Sequence, residues 1–214
     1  VIPEDYKDIN KKRSRIIPGF LIFSIFIISF YYAPILLLWF EIIPFEFRFH
    51  ILLAVTLLSA VYVFFRCHSL RDLGIRFDNV KAALFLNSIL ILSVVVIFAA
   101  LYHPKDIIDF IVPEWSWFNA FYILISAPSQ EFLFRSVLFA ELKKIDVGSE
   151  FAKIGFTSVT YCFLHIIYND LTTLIVTLLM GIIWGAIYKV TNNFWGVAFS
   201  HAILGAISIS IGLI

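Results

Sequence analysis

Seven apolar stretches organise the chain, at roughly Phe20–Phe40, Ile51–Phe65, Ala82–Tyr102, Phe118–Leu142, Phe151–Tyr168, Leu171–Tyr188 and Phe194–Ile214. An α-helix rises about 1.5 Å per residue, so about 20 apolar residues cross the roughly 30 Å of hydrocarbon in a bilayer. Most of the stretches approach that length. The second is short and needs its flanks to complete a crossing. Only Asn169-Asp170 separates the fifth from the sixth, which predicts a tight helical hairpin. Turn-forming residues mark other breaks, at His103-Pro104, Val147-Gly148-Ser149 and Thr191-Asn192-Asn193.

Composition agrees with the pattern. Hydrophobic residues make up 61% of the chain and charged residues 14%, against about half and about a quarter in a soluble domain. The excess cannot be hidden in one core, so lipid must form part of the surroundings. The expected fold is all-α, a polytopic transmembrane bundle of about seven spans. Residues 1–19 form a basic amino-terminal segment and 20–214 a single transmembrane domain. The run from Phe20 is too long for a cleaved signal peptide and lacks a small-residue cleavage site.

Charge placement tests the count. Alternate tails and loops hold thirteen basic residues, from Lys7–Arg15 through Arg66–Lys81 and Lys143–Lys153 to Lys189. The other set holds Arg48 and Lys105 alone, and Arg135 lies inside the fourth stretch. Basic residues collect on the cytoplasmic side. The amino terminus is therefore expected inside, the carboxy terminus outside, in a bacterial-type cytoplasmic membrane. Cys67 and Cys162 read as small apolar filler rather than a disulfide or zinc pattern. Trp39, Trp115, Trp117 and Trp195 sit near span ends, as in an interfacial belt, and the 24 phenylalanines read as lipid-facing bulk. Gly181 and Gly185 read as a packing notch.

Ionisable residues at membrane depth are costly and are kept for structure or function. Three stretches carry them: Gln130-Glu131 with Arg135, then His165, then His201. From the expected boundaries, Glu131, His165 and His201 lie about 16, 20 and 10 Å from the cytoplasmic end, so they can share one polar pocket. Glu131 and Arg135 are four residues apart, on one helix face, and can pair. An acid with two imidazoles in a low-dielectric pocket suits hydrolysis, with the acid taking a proton from water and the histidines stabilising an oxyanion or holding a metal. The plain alternative is a structural ion pair with two capping histidines. A proton or ion pathway would need further polar steps toward both faces, and only Asn87, Ser93, Asn119 and Thr157 suggest any.

These residues resemble the CAAX-endopeptidase and bacteriocin-processing (CPBP, or Abi) intramembrane proteases, whose motifs are E-E-x-x-x-R, F-x-x-x-H and H-x-x-x-N on separate helices. Gln130 to Arg135 is similar to the first, Tyr161 to His165 to the second and His201 to Gly205 to the third. Leu70-Arg71-Asp72-Leu73-Gly74-Ile75 resembles a cytoplasmic loop of the family, and Thr191 to Gly196 its approach to the last histidine. The likeness covers about 70–214. It implies an intramembrane endopeptidase acting on a membrane-associated peptide or protein, with Glu131, Arg135, His165 and His201 as site residues. His165 and His201 are the candidate ligands of a divalent metal such as zinc, although Arg135 competes for the lone acid.

Two positions depart from the family pattern. The resemblance assigns water activation to the first glutamate and a supporting hydrogen bond to the last asparagine, where this chain has Gln130 and Gly205. An amide is no carboxylate base, and glycine has no side chain to donate. Three readings stay open. Glu131 has taken over as base, or Gln130 is an engineered inactivating change, which would leave Gly205 unexplained, or the chain is a catalytically degenerate scaffold or accessory subunit. Membrane lipid is the expected surrounding and nucleic acid is not an expected partner.

Overall fold

The computed structural model describes residues 18–101, 117–146 and 148–210. The basic amino-terminal run, the His103-Pro104 break, Lys105 and Trp115 lie outside them. The described residues form helices and turns without strands. We number the helices α1 (Pro18–Trp39), α2 (Phe45–Phe65), α3 (Val80–Leu101), α4 (117–144), α5 (Glu150–Tyr168), α6 (Leu171–Thr191) and α7 (Phe194–Ser210). Five of them, α1, α2, α3, α5 and α6, are long and apolar enough to cross a membrane. The short second stretch is completed backwards, through a 3-10 turn at Phe45–Phe47.

Helix ends follow local chemistry. Ser149 caps α5 by accepting from the Ala152 N–H at 3.2 Å, and Asp170 caps α6 by accepting from Thr173 N–H at 2.6 Å. Asn169 and Asn192 end the preceding helices in the left-handed conformation, at φ 51° and 44°. A left-handed Asn followed at once by a capping Asp is what makes the α5–α6 hairpin so tight.

Contacts between loops show how the helices alternate. At one end, Lys143 donates to the Asn192 side chain and Lys144 to the Arg66 carbonyl. Asn192 and Asn193 donate to the Arg71 and Arg76 carbonyls, both at 2.9 Å. Here Arg76 holds the Asp78 carboxyl down at about 2. At the opposite end, Trp39 donates to the Asn169 side chain at 3.1 Å, and Phe45 meets Tyr168 edge to face. The loop 70–75 fits this end-to-end docking through Gly74. Its φ is +69°, its carbonyl accepts from Phe194 N–H at 2.8 Å, and a Cβ there would lie 2.5 Å from the Tyr188 hydroxyl.

α4 is the central element. From Ser126 to Leu142 every residue is buried except Pro128 and Phe132. Its polar residues therefore meet protein, whereas the outer faces of α2, α3 and α6 expose Leu57, Phe64, Phe85, Leu92, Ile175 and Leu179. An apolar exterior of that kind belongs in lipid. The phenylalanines divide between both settings: Phe26, Phe134 and Phe139 are core residues, so not all are lipid-facing bulk. Gly181 and Gly185 do form a notch, with α5 so close that a Cβ would meet Ser158 and Ile154 at 3.2 Å. Both cysteines are free. Cys67 is not filler: it is exposed at φ 55° just past the end of α2.

Candidate active site

Two π-helical turns, Tyr122–Ser126 and Phe132–Val137, flank the segment Ala127–Glu131 in α4. Pro128 has no N–H to offer the preceding turn, which favours the widened geometry there. Widened turns of this sort reorient side chains and concentrate at functional sites. Here they flank Gln130 and Glu131, two neighbours that face different surroundings.

Glu131 is fully buried. One carboxylate oxygen lies 2.6 Å from His201 Nδ1 and the other 3.2 Å from Arg135 Nε, an ion pair in contact but off the hydrogen-bond axis. Arg135 is equally buried, donates to the Gly181 carbonyl at 3.2 Å and lies over the Tyr161 ring at 4.6 Å. The His201 ring stacks on Trp184, with centroids 4.3 Å apart and planes 19° apart. Trp184 is fixed in turn by donating to Ser200, which donates to Asn87 at 2.6 Å. Asn87 thus ties α3 to α7. His201 Nε2 has two hydroxyls nearby, Tyr122 at 3.1 Å and Tyr161 at 3.3 Å.

His165 stands apart from this cluster. Its Nδ1 lies 3.0 Å from the Tyr161 carbonyl oxygen, and the Tyr161 ring contacts both imidazoles, with centroids 4.8 and 5.8 Å away. Glu131, Arg135 and His201 therefore meet directly, while a phenol separates His165 from them. His165 shares a polar cavity of about 220 Å³ with Gln130, Arg48, Tyr122, Ser126 and Tyr168. In that wall Gln130 donates to Ser126 at 3.2 Å, and its carbonyl oxygen has no protein partner. A second, apolar cavity of about 330 Å³ lies between α3, α6 and α7 and reaches His201, Tyr161 and Gly205. Glu131 lines neither.

The donor set does not fit a zinc site, contrary to the expectation for His165 and His201. Among the described residues no three His, Cys, Asp or Glu side chains gather around one point. His201 is engaged at both nitrogens, and the Tyr161 ring stands between the two imidazoles. Tyr122 and Trp184 belong to no motif of the chain. Tyr161 stands where the second motif of the family has Phe, and its hydroxyl reaches His201.

Apolar helices packed around a buried acid, arginine and imidazole define a multi-pass integral membrane protein with a polar centre. Residues 112–207 match the family model described as type II CAAX prenyl endopeptidase Rce1-like, and the three motifs lie inside that segment, which supports the CPBP/CAAX protease family. The match does not reach the loop 70–75. No curated protein and no solved structure matches the chain.

Proposed function

We propose that the chain is an intramembrane endopeptidase-like protein that hydrolyses a peptide bond of a membrane-associated substrate. In this reading it has seven spans and a cytoplasmic amino terminus, and α4 and α7 complete the five apolar crossings. The observation that carries the activity is the 2.6 Å contact between Glu131 and His201 Nδ1. A carboxylate only accepts, so Nδ1 holds a proton, and in the neutral imidazole Nε2 then keeps its lone pair. An imidazole held in that tautomer is a general base. Nε2 takes a proton from water as the oxygen adds to the substrate carbonyl, then passes it to the leaving nitrogen. Arg135 balances the charge of Glu131, which would otherwise be isolated in the bilayer. The scissile amide would be oriented in the cavity that His201 lines with Tyr122 and Gly205, and Gln130 and His165 line the neighbouring cavity on the other side of Tyr122. Thus Glu131 acts through His201, not on water itself. The family description reads CAAX prenyl endopeptidase, so a prenylated peptide is the first substrate class to test, with the apolar cavity beside His201 to receive its chain.

One observation favours a non-catalytic scaffold: the residue on the cavity wall beside His165 is an amide, Gln130, where the family pattern has a carboxylate. The two readings separate in host cells by mapping new amino termini of membrane proteins with wild type, His201→Gln and Gln130→Glu. Cleavage products present with wild type, absent with His201→Gln and more abundant with Gln130→Glu support the protease. If wild type and Gln130→Glu both cleave nothing, the scaffold reading replaces it.

A further inference from the structure

Gly205 lies one helical turn after His201, on the same side of α7. A Cβ built at this position would lie 2.0 Å from the Tyr122 hydroxyl oxygen and 2.6 Å from two ring carbons. No residue with a side chain fits there while Tyr122 keeps its place. The phenol of α4 thus occupies the space that a side chain of α7 would fill, and it brings a hydroxyl to the same spot. Tyr122 is also the residue shared by the walls of the two cavities, the polar one holding Gln130 and His165 and the apolar one reaching His201. A ligand entering from either side meets Tyr122.

The hydrogen-bond arithmetic at His201 gives that hydroxyl a second state. With Nδ1–H directed at Glu131, Nε2 has one lone pair and accepts one strong hydrogen bond. Two hydroxyls reach for it, at 3.1 and 3.3 Å. One O–H proton is therefore surplus. A phenol rotates its proton about the C–O bond without moving a heavy atom, so Tyr122 can redirect it into the cavity at small cost.

We propose that the Tyr122 hydroxyl donates the hydrogen bond that stabilises the reacting carbonyl oxygen, from the space left by glycine at 205. The proposal rests on the hydrolytic reading above. In the resting site the hydroxyl covers Nε2. When a substrate carbonyl arrives, the Tyr122 proton turns to the carbonyl oxygen, and Nε2 accepts from water once the Tyr161 hydroxyl has turned away as well. A buried donor aimed at developing negative charge acts chiefly on the chemical step.

The test uses the full chain in nanodiscs, with the substrate found by amino-terminus mapping and, independently, a leucine-rich tripeptide aldehyde whose hydrate presents tetrahedral oxygens. Tyr122→Phe keeps the ring packing and removes only the donor. It should lower kcat by about 100- to 1,000-fold, leave KM and the melting temperature near wild type, and weaken binding of the aldehyde. Gly205→Asn alone should lower the melting temperature, and Tyr122→Ala/Gly205→Asn should recover both stability and part of the Tyr122→Ala rate loss by supplying an amide donor from α7. A Tyr122→Phe variant that cleaves, or binds the aldehyde, as well as an active wild type overturns this proposal and leaves the protease reading intact. A wild type that neither cleaves nor binds the aldehyde overturns both.

Discussion

Glu131 and His201, 70 residues apart in sequence, are joined by a 2.6 Å contact between carboxylate and imidazole Nδ1 in a region sealed from solvent. The same carboxylate faces Arg135 at 3.2 Å. This makes Glu131 the link between α4 and α7 and gives its removal two separable consequences.

The first is stability. Glu131→Gln leaves the Arg135 charge without its counter-ion in a low-dielectric interior, which should cost about 3–5 kcal/mol in a reversible SDS-unfolding titration. Glu131→Leu with Arg135→Met removes both charges, and the pair should lose far less than Glu131→Gln alone. Equal losses in the single and double variants would mean that the ion pair contributes nothing beyond packing.

Gly74 offers a test of how the 70–75 loop is docked. Ala at φ +69° should cost about 1–2 kcal/mol from backbone conformation alone, and the approach of its Cβ to the Tyr188 hydroxyl should add to that. Thermal unfolding of Gly74→Ala, alone and with Tyr188→Phe, measures both parts. The second change should recover some of the loss by removing the nearest atom.

Asp170 predicts a pH dependence. Hydrogen bonds from the Thr173 hydroxyl and backbone N–H, with a further one from Thr172, hold its carboxyl below the ordinary range. A depressed folded value means that its contribution is complete above the unfolded value near 3.9. That contribution disappears as pH falls through the folded one. Melting curves of wild type and Asp170→Ala should therefore differ at pH 6 and converge toward pH 2. Curves that stay equally far apart at both pH values would show that the charged cap is not responsible.

Cys67 provides a native probe of orientation. It is exposed at the basic end of the bundle, whereas Cys162 is half-buried. With Cys162→Ser in place, a membrane-impermeant maleimide should label Cys67 only from the cytoplasmic side. Labelling from outside in intact cells would invert the proposed topology.

The sequence alone located the apolar helices and the breaks at Gly148-Ser149, Asn169-Asp170 and Asn192-Asn193, because continuous apolar runs and turn residues report on solvent and backbone locally. It also determined the Glu131–Arg135 pair, since residues four apart on a helix are neighbours wherever the helix packs. Motif order located His165 and His201 on their helices but could not say which imidazole meets the acid. That choice depends on the relative rotation and depth of α4, α5 and α7, and on the two π turns that set how Gln130 and Glu131 face their surroundings. Only the tertiary structure inserted Tyr161 between the histidines, laid Trp184 on His201 and placed Tyr122 over Gly205. In sequence Gly205 marked only a missing side chain. The space belongs to a residue of another helix, and no pattern along one segment records which distant ring will fill it.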